Sequence, residues 1–149
     1  MRRRREPARS CATLLLAALC CAAARAAEPV VLHQGIVHDA LYDVCFDARG
    51  AVAVGAAGVV LASRDAGASW QPQPQEATAL ALLGVACTDE RRLAVGQAGI
   101  VLVDDGNGWR KVESGTEQRL LAVAMNDSGL AVAVGGFGAV MLSRDRGES

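Results

Sequence analysis

The sequence predicts an all-β protein built from short strands and tight turns, and three observations lead to this prediction. The chain has 149 residues, of which 52% are hydrophobic but only 3% aromatic, so its core is built mainly from small and β-branched side chains, which favour strands. Apolar runs are short and interrupted by glycine. This pattern argues against the alternative, an Ala-rich helical repeat. One pattern also recurs three times at a period near 40 residues, the size of four short strands.

Residues 1–26 have the pattern of a secretory signal peptide. Four consecutive arginines, Arg2 to Arg5, precede an uncharged run from Ser10 to Ala24, and Ala26 ends a small-x-small cleavage pattern. The uncharged run has 15 residues, fewer than the roughly 18–20 that cross a bilayer. We therefore expect no stable membrane span, cleavage before Ala27, and export across the inner membrane to the periplasm or to an extracellular or thylakoid-lumen-like compartment.

Removal of this leader changes the charge of the chain. Six arginines and Glu6 leave with it, so that 9 basic and 15 acidic residues remain and the net charge falls from −1 to −6. A domain with this charge repels phosphate backbones, so we expect no nucleic-acid partner.

Residues 27–40 are interpreted as a lead-in segment before the first repeat. His33, His38 and Asp39, with Asp43 just beyond, form a small polar cluster, but they do not make a defined set of metal ligands. We therefore predict no metal site and no cofactor.

Residues 41–149 contain the repeats, with units at about 41–80, 81–118 and 119–149, the last of them incomplete. In the first unit, strands are predicted from Leu41 to Phe46, Ala51 to Val54 and Val59 to Ala62, with a fourth near Trp70. A tight Gly-x-x-Gly turn joins the second and third strands of every unit. The glycines of these turns are Gly55, Gly58, Gly96, Gly99, Gly135 and Gly138.

A second motif, S-x-D-x-G-x-x-W, follows the third strand. Aspartate in a turn accepts hydrogen bonds from backbone N–H groups, glycine supplies a positive φ, and tryptophan covers the apolar face of the sheet. We therefore interpret the motif as a structural turn. Its members are Ser63, Asp65, Gly67 and Trp70 in the first unit, Trp109 in a shortened second copy, and Ser143, Asp145 and Gly147 in the third.

Together, the segments L-x-x-V-x-F, A-V-G-x-x-G-x-V-L and S-R-D-x-G-x-S-W resemble sialidase-type repeats, also called BNR or Asp-box repeats. More closely, they resemble the secreted seven-bladed propellers typified by the photosystem II assembly and stability factor. The resemblance covers residues 41–149 and implies a β-propeller segment of about three four-stranded blades. It also implies a non-enzymatic scaffold that binds or assembles proteins, although no residue here identifies a photosynthetic partner.

Closed propellers need about four to eight blades, and three would form an open arc. We therefore expect either that this sequence is the N-terminal part of a longer propeller or that several copies associate to close the ring.

Other functions remain as alternatives. A glycoside hydrolase of the sialidase-like class needs a tyrosine nucleophile paired with a glutamate, but Tyr42 is the only tyrosine and no glutamate stands beside it. We therefore predict no catalytic residue. A glycan-binding propeller and a purely structural repeat that closes by self-association also remain open.

Arg64 and Arg144 occupy the same position of the S-x-D-x-G turn in two units. They predict a basic rim that docks an acidic protein partner, with a solvated turn charge as the alternative.

Cys45 and Cys87 are the only cysteines after residue 26. In the 41-residue register Cys87 corresponds to Phe46, and neighbouring strand positions point to opposite faces of a sheet. We therefore expect two separate thiols, although the predicted compartment would permit a disulfide.

Overall fold

The described residues of the computed structural model, 39–149 with the single positions 30, 31 and 35, form three antiparallel sheets. The first sheet contains β1 (Leu41–Asp47), β2 (Gly50–Gly55), β3 (Val60–Ser63) and β4 (Gln71–Pro72). The second contains β5 (Leu82–Cys87), β6 (Arg92–Gly96), β7 (Val101–Asp104) and β8 (Arg110–Val112). The third contains β9 (Leu120–Met125), β10 (Ala131–Gly135) and β11 (Val140–Ser143). We call these sheets the first, second and third blade.

Strand order within each blade follows the chain, so that every strand pairs with its sequence neighbour. The all-β prediction is confirmed, and the first three strands of the first unit lie within one residue of their predicted bounds. The fourth strand of the first blade is only two residues long and ends at Pro72, and just beyond it the Gln73 amide donates to the Val60 carbonyl at 2.8 Å. The predicted signal peptide, and most of the lead-in segment with His33 and His38, lie outside the described residues.

The Gly-x-x-Gly segments form three equivalent turns between the second and third strands of each blade. The amide of the residue after the first glycine donates to a carbonyl just before the first strand, as Ala56 does to Ala40 at 2.8 Å. This close approach leaves no room for a side chain, because a Cβ on the glycine would collide with the same carbonyl oxygen. The colliding pairs are Gly55 with Ala40, Gly96 with Ala81, and Gly135 with Arg119.

The hydrophobic core lies between the blades. Each blade has a downstream face, turned toward the next blade along the chain, and an upstream face on its opposite side. The first interface packs Val52, Val54 and Val60 of the first blade against the second. Their partners in the second blade are Val85, Ala94, Leu102 and Trp109. The second interface packs Leu93, Val95 and Val103 against the third blade, where they meet Leu120, Val123, Met125, Ala131 and Ala133.

Cys45 and Cys87 form a disulfide across the first interface, with their Cα atoms 5.7 Å apart. The prediction of two separate thiols was therefore wrong. The two residues do lie on opposite faces of equivalent sheets, but in stacked blades the downstream face of one sheet meets the upstream face of the next. Opposite faces are thus the ones brought together. A crosslink between residues 42 positions apart stabilises a fold by about 2–4 kcal/mol.

Candidate functional site

Arginines concentrate at one end of the blades. Because the strands of each blade alternate in direction, the turns from β1 to β2 and from β3 to β4 lie at the same end, with their equivalents in the other blades. Seven of the eight arginines between residues 39 and 149 lie in or beside these turns, whereas Arg119 lies at the other end, between β8 and β9. The seven are Arg49, Arg64, Arg91, Arg92, Arg110, Arg144 and Arg146.

A buried ion pair joins the first and second blades at this end. The Asp47 carboxylate is fully buried and accepts hydrogen bonds from Arg92 Nε at 2.7 Å and Arg92 Nη2 at 2.9 Å. Burial raises the pKa of Asp47, but the hydrogen bonds and charge of Arg92, with those of Arg49, outweigh it and lower that pKa below its usual value. The pair is therefore ionised at neutral pH, and it fixes the blades against each other.

Arg49 lies beside this pair with much of its hydrogen-bonding capacity unused. Its Nη2 is 3.4 Å from Asp47 Oδ2 and its Nη1 is 3.6 Å from Asp104 Oδ2, both long for charge-assisted hydrogen bonds. Its Nε is buried and has no hydrogen-bond partner, which is unusual because buried donors are nearly always satisfied. The side chain is still 28% exposed, so an incoming acceptor can reach the guanidinium.

Asp104 contributes to this arrangement because it replaces a serine of the repeat. Asp104 faces Arg92 in the second blade as Ser63 faces Ala51 in the first. Its Oδ1 accepts from the amides of Gly106 and Gly108 at 2.8 and 3.1 Å. The second carboxylate oxygen remains available to Arg49 of the preceding blade. The shortened second motif therefore supplies a charge that the other two copies do not have at this position.

Arg49, Arg92 and Asp104 line a groove of about 450 Å³ between the first two blades, which we call the arginine groove. Arg64, from the turn after β3, lies at the groove and is exposed. It makes no ion pair or side-chain hydrogen bond among residues 39–149. The groove is lined by Arg49, Arg64 and Arg92 together with Gln71, Gln73 and Asp104, among others.

The acidic neighbour of Arg64 is fully occupied by its own turn. Asp65 accepts hydrogen bonds from the Ser69 hydroxyl at 2.6 Å, the Ser69 amide at 2.8 Å and the Ser63 hydroxyl at 2.8 Å. These bonds lower the pKa of Asp65 to about 2. Gly67 donates its amide to Ser63 Oγ and accepts a hydrogen bond from Trp70 Nε1. Asp65 therefore orders the turn that presents Arg64.

The third blade repeats this turn. Asp145 accepts hydrogen bonds from Ser143 Oγ at 2.6 Å and Ser149 Oγ at 2.6 Å, which lower its pKa to about 2. Gly147 donates its amide to Ser143 Oγ at 2.8 Å. Arg144 is exposed but does not line the arginine groove. The structure therefore does not join Arg64 and Arg144 in one groove.

The second motif differs in the position of its tryptophan contact. Trp109 Nε1 lies 3.3 Å from Gln73 Oε1 of the first blade and donates a hydrogen bond to it, whereas Trp70 bonds within its own turn. Trp109 of the second blade thus positions Gln73, a first-blade residue that lines the arginine groove.

Sequence reasoning missed Asp47, Arg49, Arg92 and Asp104. Their contacts across the interface join residues 45 or more positions apart, so no local motif marks them. The one available signal was the replacement of Ser63 by Asp104 in the repeat alignment.

Asp43 and Tyr42, which the sequence analysis considered as a metal ligand and as a nucleophile, make other contacts in the structure. Asp43 accepts hydrogen bonds from the amides of Val44 and Val85 at 2.8 and 2.9 Å, and no group of three metal-ligating side chains occurs in the described part of the chain. Tyr42 lies on the upstream face of the first blade beside Leu61 and Trp70. Among the described residues, no helix is long and apolar enough to cross a membrane.

No protein-family model and no curated protein matches this chain. Several solved structures resemble it, and two of them are of YCF48. One, titled "YCF48 bound to D1 peptide", is 20% identical with a TM-score of 0.65, over 74% of this chain and 39% of that one. The other, YCF48 from Cyanidioschyzon merolae, is 22% identical with a TM-score of 0.63, over 74% of this chain and 36% of that one. The chain thus spans less than two fifths of their length, and the likeness confirms the β-propeller fold.

Proposed function

We propose that this chain is a non-enzymatic propeller scaffold that binds an acidic segment of a partner protein in the arginine groove. The observation that carries the proposal is the state of two arginines at the groove: Arg49 has a buried Nε without a partner, and Arg64 is exposed and unpaired among residues 39–149. Carboxylates of a partner segment would pair with Arg64 and with the exposed part of the Arg49 guanidinium, since guanidinium groups bind carboxylates through paired hydrogen bonds.

Two further observations support a peptide as the ligand. Loops at the ends of blades are ordered by internal hydrogen bonds and present side chains from a rigid scaffold, which is a common arrangement for recognition. One of the similar structures is bound to a D1 peptide, and the repeats resemble those of photosystem II assembly factor-like propellers. These observations favour a protein-binding role over the glycan-hydrolysing alternative.

The proposal is tested by fluorescence anisotropy with a labelled glutamate-rich decapeptide. We expect the parent protein to bind it, and Arg64→Gln to weaken binding about 10-fold because one charge-assisted contact is lost. A matched control, Arg119→Gln, removes an arginine from the opposite end and should bind like the parent. Binding should also weaken as salt concentration rises.

Two results would overturn the proposal: the parent protein fails to bind the glutamate-rich peptide, or Arg119→Gln weakens binding as much as Arg64→Gln does. A glutamine-rich peptide of the same length provides the ligand control, and its binding with equal affinity would show that charge is not recognised. Arg64 is the better test residue because Arg49 also contacts Asp47 and Asp104, so its loss would affect stability.

We further propose that the protein acts outside the cytoplasm after removal of residues 1–26. The basic and apolar leader supports this, as does the Cys45–Cys87 disulfide, because such bonds persist in oxidising compartments. N-terminal sequencing of exported protein should begin at Ala27, and recovery of the chain in the cytoplasm with Met1 retained would contradict export.

A further inference from the structure

The two internal interfaces of the molecule follow one packing rule. At the first interface, the downstream face presents Val52, Val54 and Val60, and at the second it presents Leu93, Val95 and Val101 at the equivalent positions. The upstream faces that receive them also correspond, with Val85, Ala94 and Leu102 in the second blade matching Val123, Ala133 and Met141 in the third. A blade therefore packs on its neighbour through a branched apolar face and a matching receiving face.

The third blade presents the same downstream pattern, and no other described residue covers it. Val134, Val140 and Leu142 are 42, 71 and 53% exposed, although their equivalents in the second blade, Val95, Val101 and Val103, lie in the core of the second interface. Several exposed large apolar side chains on one sheet face mark an interaction surface rather than ordinary solvent contact.

The first blade presents the matching receiving pattern. Tyr42, Val44 and Phe46 of β1 are 51, 48 and 61% exposed. Val44 corresponds to Val85, which lies in the first interface, and Phe46 corresponds to Cys87. Among residues 39–149, these two exposed blade faces therefore correspond to the two halves of the interface that the repeat already forms twice.

We propose that two copies of this chain associate head to tail, with the downstream face of the third blade of one copy packed on the upstream face of the first blade of the other. Two copies supply six blades, which lies within the about four to eight that close a ring. A head-to-tail contact uses different patches on the two partners and closes when the rotation permits.

Charge does not oppose this contact. The first interface places the Asp47–Arg92 ion pair at its edge. In the proposed contact, the positions equivalent to these residues are Asn126 on the third blade and Ala51 on the first. Neither position carries a charge, so these two positions would not bury an unpaired charge, which would weaken association.

The native disulfide provides a geometric test of the proposed contact. Ala124 of the third blade is equivalent to Cys45 of the first, since they pair with the equivalent residues Val132 and Val52. Phe46 of the first blade is equivalent to Cys87 of the second, since they pair with the equivalent residues Ala51 and Arg92. The double variant Phe46→Cys/Ala124→Cys therefore places thiols across the proposed contact in the same relation as the native pair. After export and air oxidation, we expect a covalent dimer on non-reducing gels that returns to monomer with reductant.

The second interface supplies the matched control. Ala86 is equivalent to Cys45 and Met125 to Cys87, so Ala86→Cys/Met125→Cys should form a disulfide within one chain and remain monomeric on the same gel. If this control crosslinks while Phe46→Cys/Ala124→Cys stays monomeric with both introduced thiols free, the proposal is overturned.

Light scattering on the unmodified chain provides an independent measurement. We expect a dimer that Val140→Asp converts to monomer, because a charge would enter an apolar interface. Gln118→Asp, an exposed substitution between the second and third blades, should leave the dimer intact. If the unmodified chain is monomeric at every concentration measured, the proposal is overturned. This is the result expected if only further blades of a longer chain cover these faces. Neither measurement involves the arginine groove, so this inference and the proposed function fail separately.

Discussion

At the scale of single residues, one replacement in a repeated motif changes what the motif does. Ser63 uses its single hydroxyl oxygen to order the turn after β3. Asp104, at the same position in the second blade, orders its turn with one oxygen and faces Arg49 of the neighbouring blade with the other. The sequence shows that the second copy is irregular, but the partner of the extra oxygen follows only from the stacking of the blades.

The aspartates of the first and third turns predict a defined response to acid. Hydrogen bonds within the turns lower the pKa of Asp65 and of Asp145 to about 2, from a usual value of 3.8. Because the folded value is the lower one, each carboxylate contributes stability above about pH 4, and this contribution is lost as the pH falls toward about 2. We expect Asp65→Asn/Asp145→Asn to flatten the dependence of the thermal midpoint on pH within this window.

The control for this experiment is Asp127→Asn, which alters an exposed carboxylate that accepts no hydrogen bond within residues 39–149. It should retain the steep pH dependence of the parent. If the double variant is as steep as the parent between about pH 4 and pH 2, the ordering role assigned to the two aspartates is wrong.

At the scale of strands and turns, the sequence was a good guide because the relevant signals are local. Glycine and polar residues bound each apolar run, and this predicted the first three strands of the first blade to within one residue. Strand β4, predicted near Trp70, begins one residue later at Gln71, has only two residues and pairs only with β3. The face assignment of Cys45 and Cys87 was correct, but the disulfide was missed because it depends on which faces of different blades meet.

The Gly-x-x-Gly turn predicts a sharp contrast between two adjacent glycines. A Cβ at Gly135 would collide with the Arg119 carbonyl, whereas a Cβ at Gly136 would lie 3.8 Å from the same oxygen, an ordinary contact. We expect Gly135→Ala to destabilise the fold by about 1–3 kcal/mol and Gly136→Ala to have an effect within about 1 kcal/mol. Urea unfolding of both variants measures the difference, and equal stabilities would contradict the close approach of the backbone at this turn.

At the scale of the whole molecule, stacking brings together residues that no local pattern connects. The hydrophobic core, the Asp47–Arg92 pair and the disulfide all lie at interfaces between blades. The repeat period predicts that such interfaces exist, but it does not specify which polar side chains meet across them. For this reason the propeller fold could be predicted from the sequence, whereas most of the arginine groove could not.

The central claim is that consecutive repeats stack with the downstream face of one against the upstream face of the next, and the Cys45–Cys87 disulfide tests it most directly. Mass spectrometry of an unreduced tryptic digest of the exported protein is the measurement. Cleavage after arginine places Cys45 in a peptide that ends at Arg49 and Cys87 in the peptide 65–91. Stacked blades predict that these two peptides are recovered as one linked species, which separates on reduction. Recovery of both peptides with free thiols, alkylated without prior reduction, would contradict the account.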